Sequence, residues 1–339
     1  MKSIRNLGLI GMVGLVLGCQ DTLLGPEPPN TPGSNFDVFW QGFDQHYSYF
    51  PLKGVNWDSV YQVYRPQIND NTTDDELFNI LVEIGRVLQD GHYFITNDAD
   101  YFFSYYGNSP KDSIPVQPFP AFSYLENEQS AGEYISYATV RDTQLGYLHI
   151  STFEGAPDEY LTIDQAIQYL STTTGLILDV RTTRGGSTGL AETIAGYFAD
   201  QTYLYRYFKY RNGKNWNDYT DSIPAYVTPT TRSRYLKPVV VITDRRCFSA
   251  CEGFVLALKS LPTIRTLGDT TYGGTGNPIT QELPNGWNYR VSTWFVTRPN
   301  GEVVEGLGIA PDILEPYVPF DTFNLTDNAI ERAIQLLTE

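Results

Sequence analysis

The chain has 339 residues, 41% hydrophobic and 18% charged, enough apolar material for one large or two modest folded units and too much for a disordered chain. Its net charge of −16 excludes binding through nucleic-acid phosphates, because too little positive charge is present to release their counterions. The 25 tyrosines and 18 phenylalanines fit aromatic-rich strands as well as a binding surface for peptides or sugars.

The N-terminus reads as an export segment. Lys2 and Arg5 precede an apolar stretch too short and too glycine-rich for a stable membrane span, and "VLGC" ends it at Cys19. That ending resembles a bacterial lipobox, with Cys19 lipidated as the first mature residue of a protein in the cell envelope. A plain secretory signal with an incidental cysteine is the alternative. Residues 20–34 are Pro- and Gly-rich and read as a tether.

Residues 35–92 carry apolar side chains at three- and four-residue spacing and form a helical subdomain. Thr73 and Glu76 spell a capping box for its last helix. From 93 to 144 the chain is aromatic and loop-rich, with one clear strand in "EYISYATV". From 145 to 339 apolar strands alternate with helices: "GYLHIS", "GLILDVR", "PVVVIT" and "TIRTLGD" are the strands. That alternation predicts an α/β fold with a buried, largely parallel sheet. A hairpin is expected over 289–304 through "RPNG", and a terminal helix over "TDNAIERAIQLLT".

Two serines compete for chemistry. "GGSTG" at 185–189 matches the G-x-S-x-G elbow, but "TTRG" separates Ser187 from the strand end, and every histidine (46, 92 and 149) lies upstream. The glycine-rich "RTTRGGS" is better used to bring bare backbone N–H groups close to a ligand oxygen. Ser249, in "RRCFSACEGF", follows the strand "PVVVIT" and opens a helix whose unpaired N–H groups favour negative charge. Ser249 and Glu252 also spell an ordinary capping box, so a nucleophile and a helix cap are both consistent with the local residues. A nucleophilic serine needs a base and an orienting acid. His92 in "QDGHYF" follows a glycine at a helix-to-strand corner, and Glu305 precedes a Gly/Pro turn, where a solvated loop carboxylate is the plainer reading. His46 and His149 sit in a helical run and a strand. Cys247 and Cys251, four apart across a helix start, read as two small buried hydrophobes rather than a disulfide. Scattered histidines without Cys-x-x-Cys provide no metal shell, and no phosphate or dinucleotide loop is present, so no cofactor is expected.

"DGHYF", "GYLHISTF", "GLILDVRTTRGG", "FSACEGF…GDTTYGG" and "EGLGIAPDI" occur in this order, and together the chain resembles the tail-specific (C-terminal-processing) serine protease family. The resemblance implies a crotonase-like catalytic sheet over 145–339 preceded by a helical segment. It also places Ser249 first in S-A-x-E. Members with a Ser–Lys dyad carry lysine 25 residues after the serine, and Gly274 stands there. The resemblance therefore points to the branch of the tricorn core and the retinoid-binding-protein-like members, with His92 as base and Glu305 as its acid. Family proteases usually insert a PDZ domain before the "GYI" motif, but only 53 residues separate His92 from Gly146, too few for that fold. The implied protein is a lipid-anchored serine peptidase acting on a peptide or protein, with an oxyanion hole at Ala250 and Gly186 or Gly185. The competing expectation is a protease fold that has lost catalysis and binds hydrophobic peptides or other ligands.

Overall fold

The computed structural model describes residues 27–97, 100–106, 121–155, 162–316 and 326–339. Helix α1 (Pro32–His46) begins at Thr31, whose hydroxyl accepts the Ser34 N–H, with proline in its first turn. The single turn α2 (Phe50–Lys53) stops at Gly54 in the left-handed region. Asn56 caps α3 (Trp57–Tyr64), and the Thr73/Glu76 capping box starts α4 (Asp74–Leu88) as expected. Leu77, Leu81, Ile84 and Leu88 are buried along one face of α4. Phe36, Phe39, Phe43 and Trp57 join them in an aromatic core.

Two short strands follow, β1 (Phe94–Thr96) and β2 (Phe102–Ser104), paired antiparallel. Next come β3 (Leu125–Ser130), β4 (Ile135–Val140) and β5 (Leu145–Ile150), a meander of antiparallel neighbours. Beyond them α5 (Ile163–Leu170), β6 (Gly175–Asp179), α6 (Thr188–Ala195), β7 (Tyr203–Tyr210) and β8 (Ile223–Val227) alternate along the chain. Strand β9 (Val239–Thr243) leads to α7 (Ala250–Lys259) and β10 (Ile264–Gly268). The chain closes with β11 (Pro278–Glu282), β12 (Asn288–Ser292), β13 (Trp294–Thr297), β14 (Ile313–Leu314) and α8 (Asn328–Thr338).

The large sheet has the order β14-β10-β9-β6-β5-β4-β3, parallel from β14 to β5. Every residue of β6 and β9 is buried, which a central parallel strand requires. Alternation sorts their side chains to opposite faces. Leu176, Leu178, Val239 and Val241 meet residues of α5, α6 and α7, whereas Ile177, Val240 and Ile242 meet α8. The second sheet, β11-β12-β1-β2, carries β1 beside β12 with Ile95 opposite Tyr289, and a third runs β13-β7-β8. Tyr289 also packs into the helical core. Gly42 of α1 makes room for it, since a Cβ there would lie 2.1 Å from the tyrosine hydroxyl.

The large sheet starts at Leu125 rather than at 145, since β3 and β4 extend it. The segment 93–144 is thus not only linker. "LENEQS" carries no apolar alternation because β3 is an exposed edge strand. The "RPNG" turn forms, with Arg298 N–H donating to Glu302 O, but β12 and β13 on either side of Thr293 belong to different sheets. The hairpin partner of β12 is β11.

Candidate active site

Strand β9 ends at Thr243, and Asp244 then shapes the turn, its Oδ1 accepting the N–H groups of Thr182, Arg246 and Cys247. Ser249 lies at φ 59°, ψ −119°, a backbone conformation that few side-chain-bearing residues adopt. It is held there by its N–H donating to Gly274 O at 3.1 Å and, at 3.3 Å, to Glu252 Oε2. The hydroxyl sits 2.9 Å from His92 Nε2. The serine hydroxyl therefore faces the imidazole while its residue opens the helix.

Cys247 and Cys251 form a disulfide with Cα atoms 5.4 Å apart, correcting the expectation of two free hydrophobes. Four residues along a straight run would hold the pair badly. Here the positive φ at Ser249 folds Cys247 back over the helix start, within the normal span of a disulfide.

His92 follows Gly91, which lies under Phe248 and Tyr272 with no room for a Cβ. Its backbone N–H donates to Asp90 Oδ1 at 2.8 Å, and its ring lies 4.5 Å from that of Phe248, tilted by 36°. Burial brings the imidazole down to about 4, only partly opposed by Asp90, with Arg290 and Lys53 adding to the fall. A base that stays neutral at neutral pH accepts a proton from a hydroxyl. Nδ1 is buried without a hydrogen-bond partner among the described residues, 4.0 Å from Asp90 Oδ1.

Among the described residues no hydrogen bond or ion pair joins Glu305 to His92. Its Oε2 accepts the Thr275 N–H at 2.9 Å, and Oε1 stands 3.3 Å from Lys53 Nζ. Burial raises this carboxyl, Asp90 raises it further, and Lys53 and the Thr275 N–H oppose both. The acid beside the ring is Asp90, two residues before the histidine in the same turn.

On the other side of Ser249, Gly185 and Gly186 take φ values of 102° and 124°. A Cβ on Gly185 would stand 2.8 Å from Ser249 Cβ and 3.0 Å from Ala250 N. Phe153 N–H donates to Gly185 O and Ser187 N–H to Phe153 O, which fixes the loop. The N–H groups of Gly185, Gly186 and Ala250 have no partner among the described residues. Ser187 itself caps α6, accepting the Leu190 N–H, and so has a structural task. His46 ends α1 and His149 lies on β5 opposite Ser136. Among the described residues no cluster of His, Cys, Asp or Glu is arranged to hold a metal ion.

Residues 144–314 match the model of peptidase family S41, and residues 28–85 match that of the tricorn protease C1 domain. The chain belongs to peptidase family S41. A solved structure from Parabacteroides merdae, provisionally named a peptidase, is 32% identical with a TM-score of 0.80, covering 92% of this chain and 98% of that one. Carboxy-terminal processing proteases CtpB and CtpA of Bacillus subtilis are 30% and 25% identical over 184 and 179 residues. Those matches take in 53% and 52% of this chain and 36% of each relative, so the chain spans little more than a third of their length. Mature CPAF, at 12% identity and a TM-score of 0.68, shares the fold.

Within this S41 chain, four residues at the site escaped the sequence reading. Glu252 is more than a helix cap: it accepts Thr271 Oγ1 at 2.6 Å and the N–H groups of Gly273 and Gly274 at 2.7 Å, tying the 271–274 loop beneath Ser249. Phe248 fills the space at Gly274, where a Cβ would come within 2.0 Å of its ring, so a lysine there has no room. Asp90 was visible in "DGH" but gave no sign of its distance to the ring. Lys53 sits in a single turn of helix with no motif around it.

Proposed function

We propose that this protein is a serine peptidase acting on peptides or proteins. The observation that carries the reading is the 2.9 Å approach of Ser249 Oγ to the neutral, buried His92 ring, at a serine held in a rare backbone conformation at a helix mouth. Ser249 attacks the peptide carbonyl while its proton passes to His92 Nε2. The oxyanion forms between the N–H of Ala250 and that of Gly186 or Gly185. His92 then returns the proton to the leaving amine. Water deprotonated by the same ring releases the acyl group and restores Ser249. Asp90 at 4.0 Å and Glu305 behind it supply negative charge for the imidazolium.

A fluorophosphonate probe tests this. Labelling is expected on Ser249 by peptide mass spectrometry and is expected to vanish in folded His92→Ala. Absence of labelling in well-folded wild type sinks the reading and leaves a binding protein. The exported, lipid-anchored form rests on Lys2, Arg5 and "VLGC", which lie outside the described residues. The intact mass of the membrane-extracted protein, expected to begin at an acylated Cys19, decides that point; an unmodified cysteine rejects it.

A further inference from the structure

Position 274 has no room for a lysine, yet a lysine stands at the site from another part of the chain. Lys53, the last residue of α2, places Nζ 3.3 Å from Glu305 Oε1 and donates to the Gln89 carbonyl at 2.8 Å. The Lys53 side chain is 12% exposed and that of Glu305 1%. The ion pair is thus largely shielded from water, where charges act on one another strongly. It joins three separate segments: α2, the end of α4 just before Asp90, and the loop after β13.

The groups facing Glu305 are Asp90, Glu252, Tyr47, Tyr49, the Thr275 N–H and Lys53. Those facing His92 are Asp90, Arg290 and Lys53. Around Glu305, then, two carboxylates and two phenols stand against the Lys53 ammonium among the described residues.

We propose that Lys53 is a positioning residue whose ammonium holds Glu305 in place and favours its charged form, so that negative charge stands behind His92 when the ring takes the serine proton. The inference rests on the Ser249–His92 reading above and adds a role that acts through the acid. Burial and Asp90 both push the Glu305 carboxyl toward its neutral form, and Lys53 opposes them. Lys53 is not a base for the serine, since its ammonium is committed to Glu305 and the Gln89 carbonyl.

The experiment is the pH dependence of the rate at which a fluorophosphonate labels Ser249. In Lys53→Met the acid limb is expected to move up by about one to three pH units, the effect of deleting an adjacent opposite charge. Below the limb, labelling slows about tenfold per unit. Lys53→Arg, which keeps the charge, is expected to bring the limb back toward wild type. In a Glu305→Gln background, Lys53→Met is expected to move the limb much less, leaving only the direct effect of Lys53 on His92. An unmoved limb with a uniform loss at every pH overturns the proposal, as does a limb shift of undiminished size without Glu305. Should Lys53→Met fail to fold, Lys53→Gln is measured in its place. Wild type that is not labelled at all refutes the catalytic reading instead. Lys53 is then judged by carboxyl carbon-13 titration of Glu305 in Ser249→Ala, where Lys53→Gln raises the midpoint by the same amount or the proposal fails.

Discussion

Ser249 shows how a single residue carries two conflicting roles. Its position satisfies the rules for a helix cap, but a φ of 59° turns its hydroxyl to His92, at a cost on the order of 1–3 kcal/mol. The bonds to Gly274 O and Glu252 hold it in that state. His92 has a thermodynamic signature of its own. With the ring lowered from 6.5 to about 4, the unfolded chain takes up the proton first, so stability falls as pH drops from about 6.5 toward 4. The full loss is about 3 kcal/mol. Urea unfolding of wild type and His92→Phe across that range checks it. The variant is expected to lack this part of the slope, and parallel curves refute the assignment. The histidine was legible at this scale, since a glycine before it and a corner around it were both in the sequence. Its acid was not. Nothing in "VVEGLG" shows that Glu305 turns to Lys53, because that depends on which groups share a dry space with it.

At the scale of elements, the strongest signals were periodic ones. Strands β6 and β9 read clearly because both faces are buried, and α4 because its cap and its apolar face agree. Strands β1 and β2 were illegible for a physical reason: three residues hold too little pattern, and β1 finds its neighbour β12 about 190 residues later. The Cys247–Cys251 bridge belongs to this scale, since it clamps the turn between β9 and α7. It closes a very short loop, so reduction is expected to lower stability by only about 2 kcal/mol. Denaturant midpoints with and without reductant measure this. A loss beyond about 5 kcal/mol contradicts the assignment of so small a loop.

For the whole molecule, the site is divided between two bodies of structure. The helical region and its turn bring Lys53, Asp90 and His92; the large sheet and its loops bring Ser249, Gly185, Gly186 and Glu305. Strands β11 and β12 and their turn connect them, because Leu283, Trp287, Tyr289 and Val291 lie in the aromatic core with α1, α3 and α4. Trp57, fully buried there and 5.3 Å from Phe43, is a test of that union. Trp57→Ala is expected to cost about 3–5 kcal/mol and to lower Ser249 labelling and thermal stability together in one transition. Two separated transitions, with labelling tied to the second alone, refute the interlocked arrangement.

The sequence by itself determined the class of fold and the family, because both are written in local periodicity and in contiguous motifs, and the same motifs singled out Ser249, His92 and the glycine loop as candidates. Tertiary structure alone decided that Asp90 rather than Glu305 stands nearest the ring, that Phe248 occupies the space at Gly274, that the two cysteines meet, and that Lys53 reaches the acid. The electrostatics of a buried site depend on distance and on the exclusion of water, and neither is encoded in the spacing of residues along a chain.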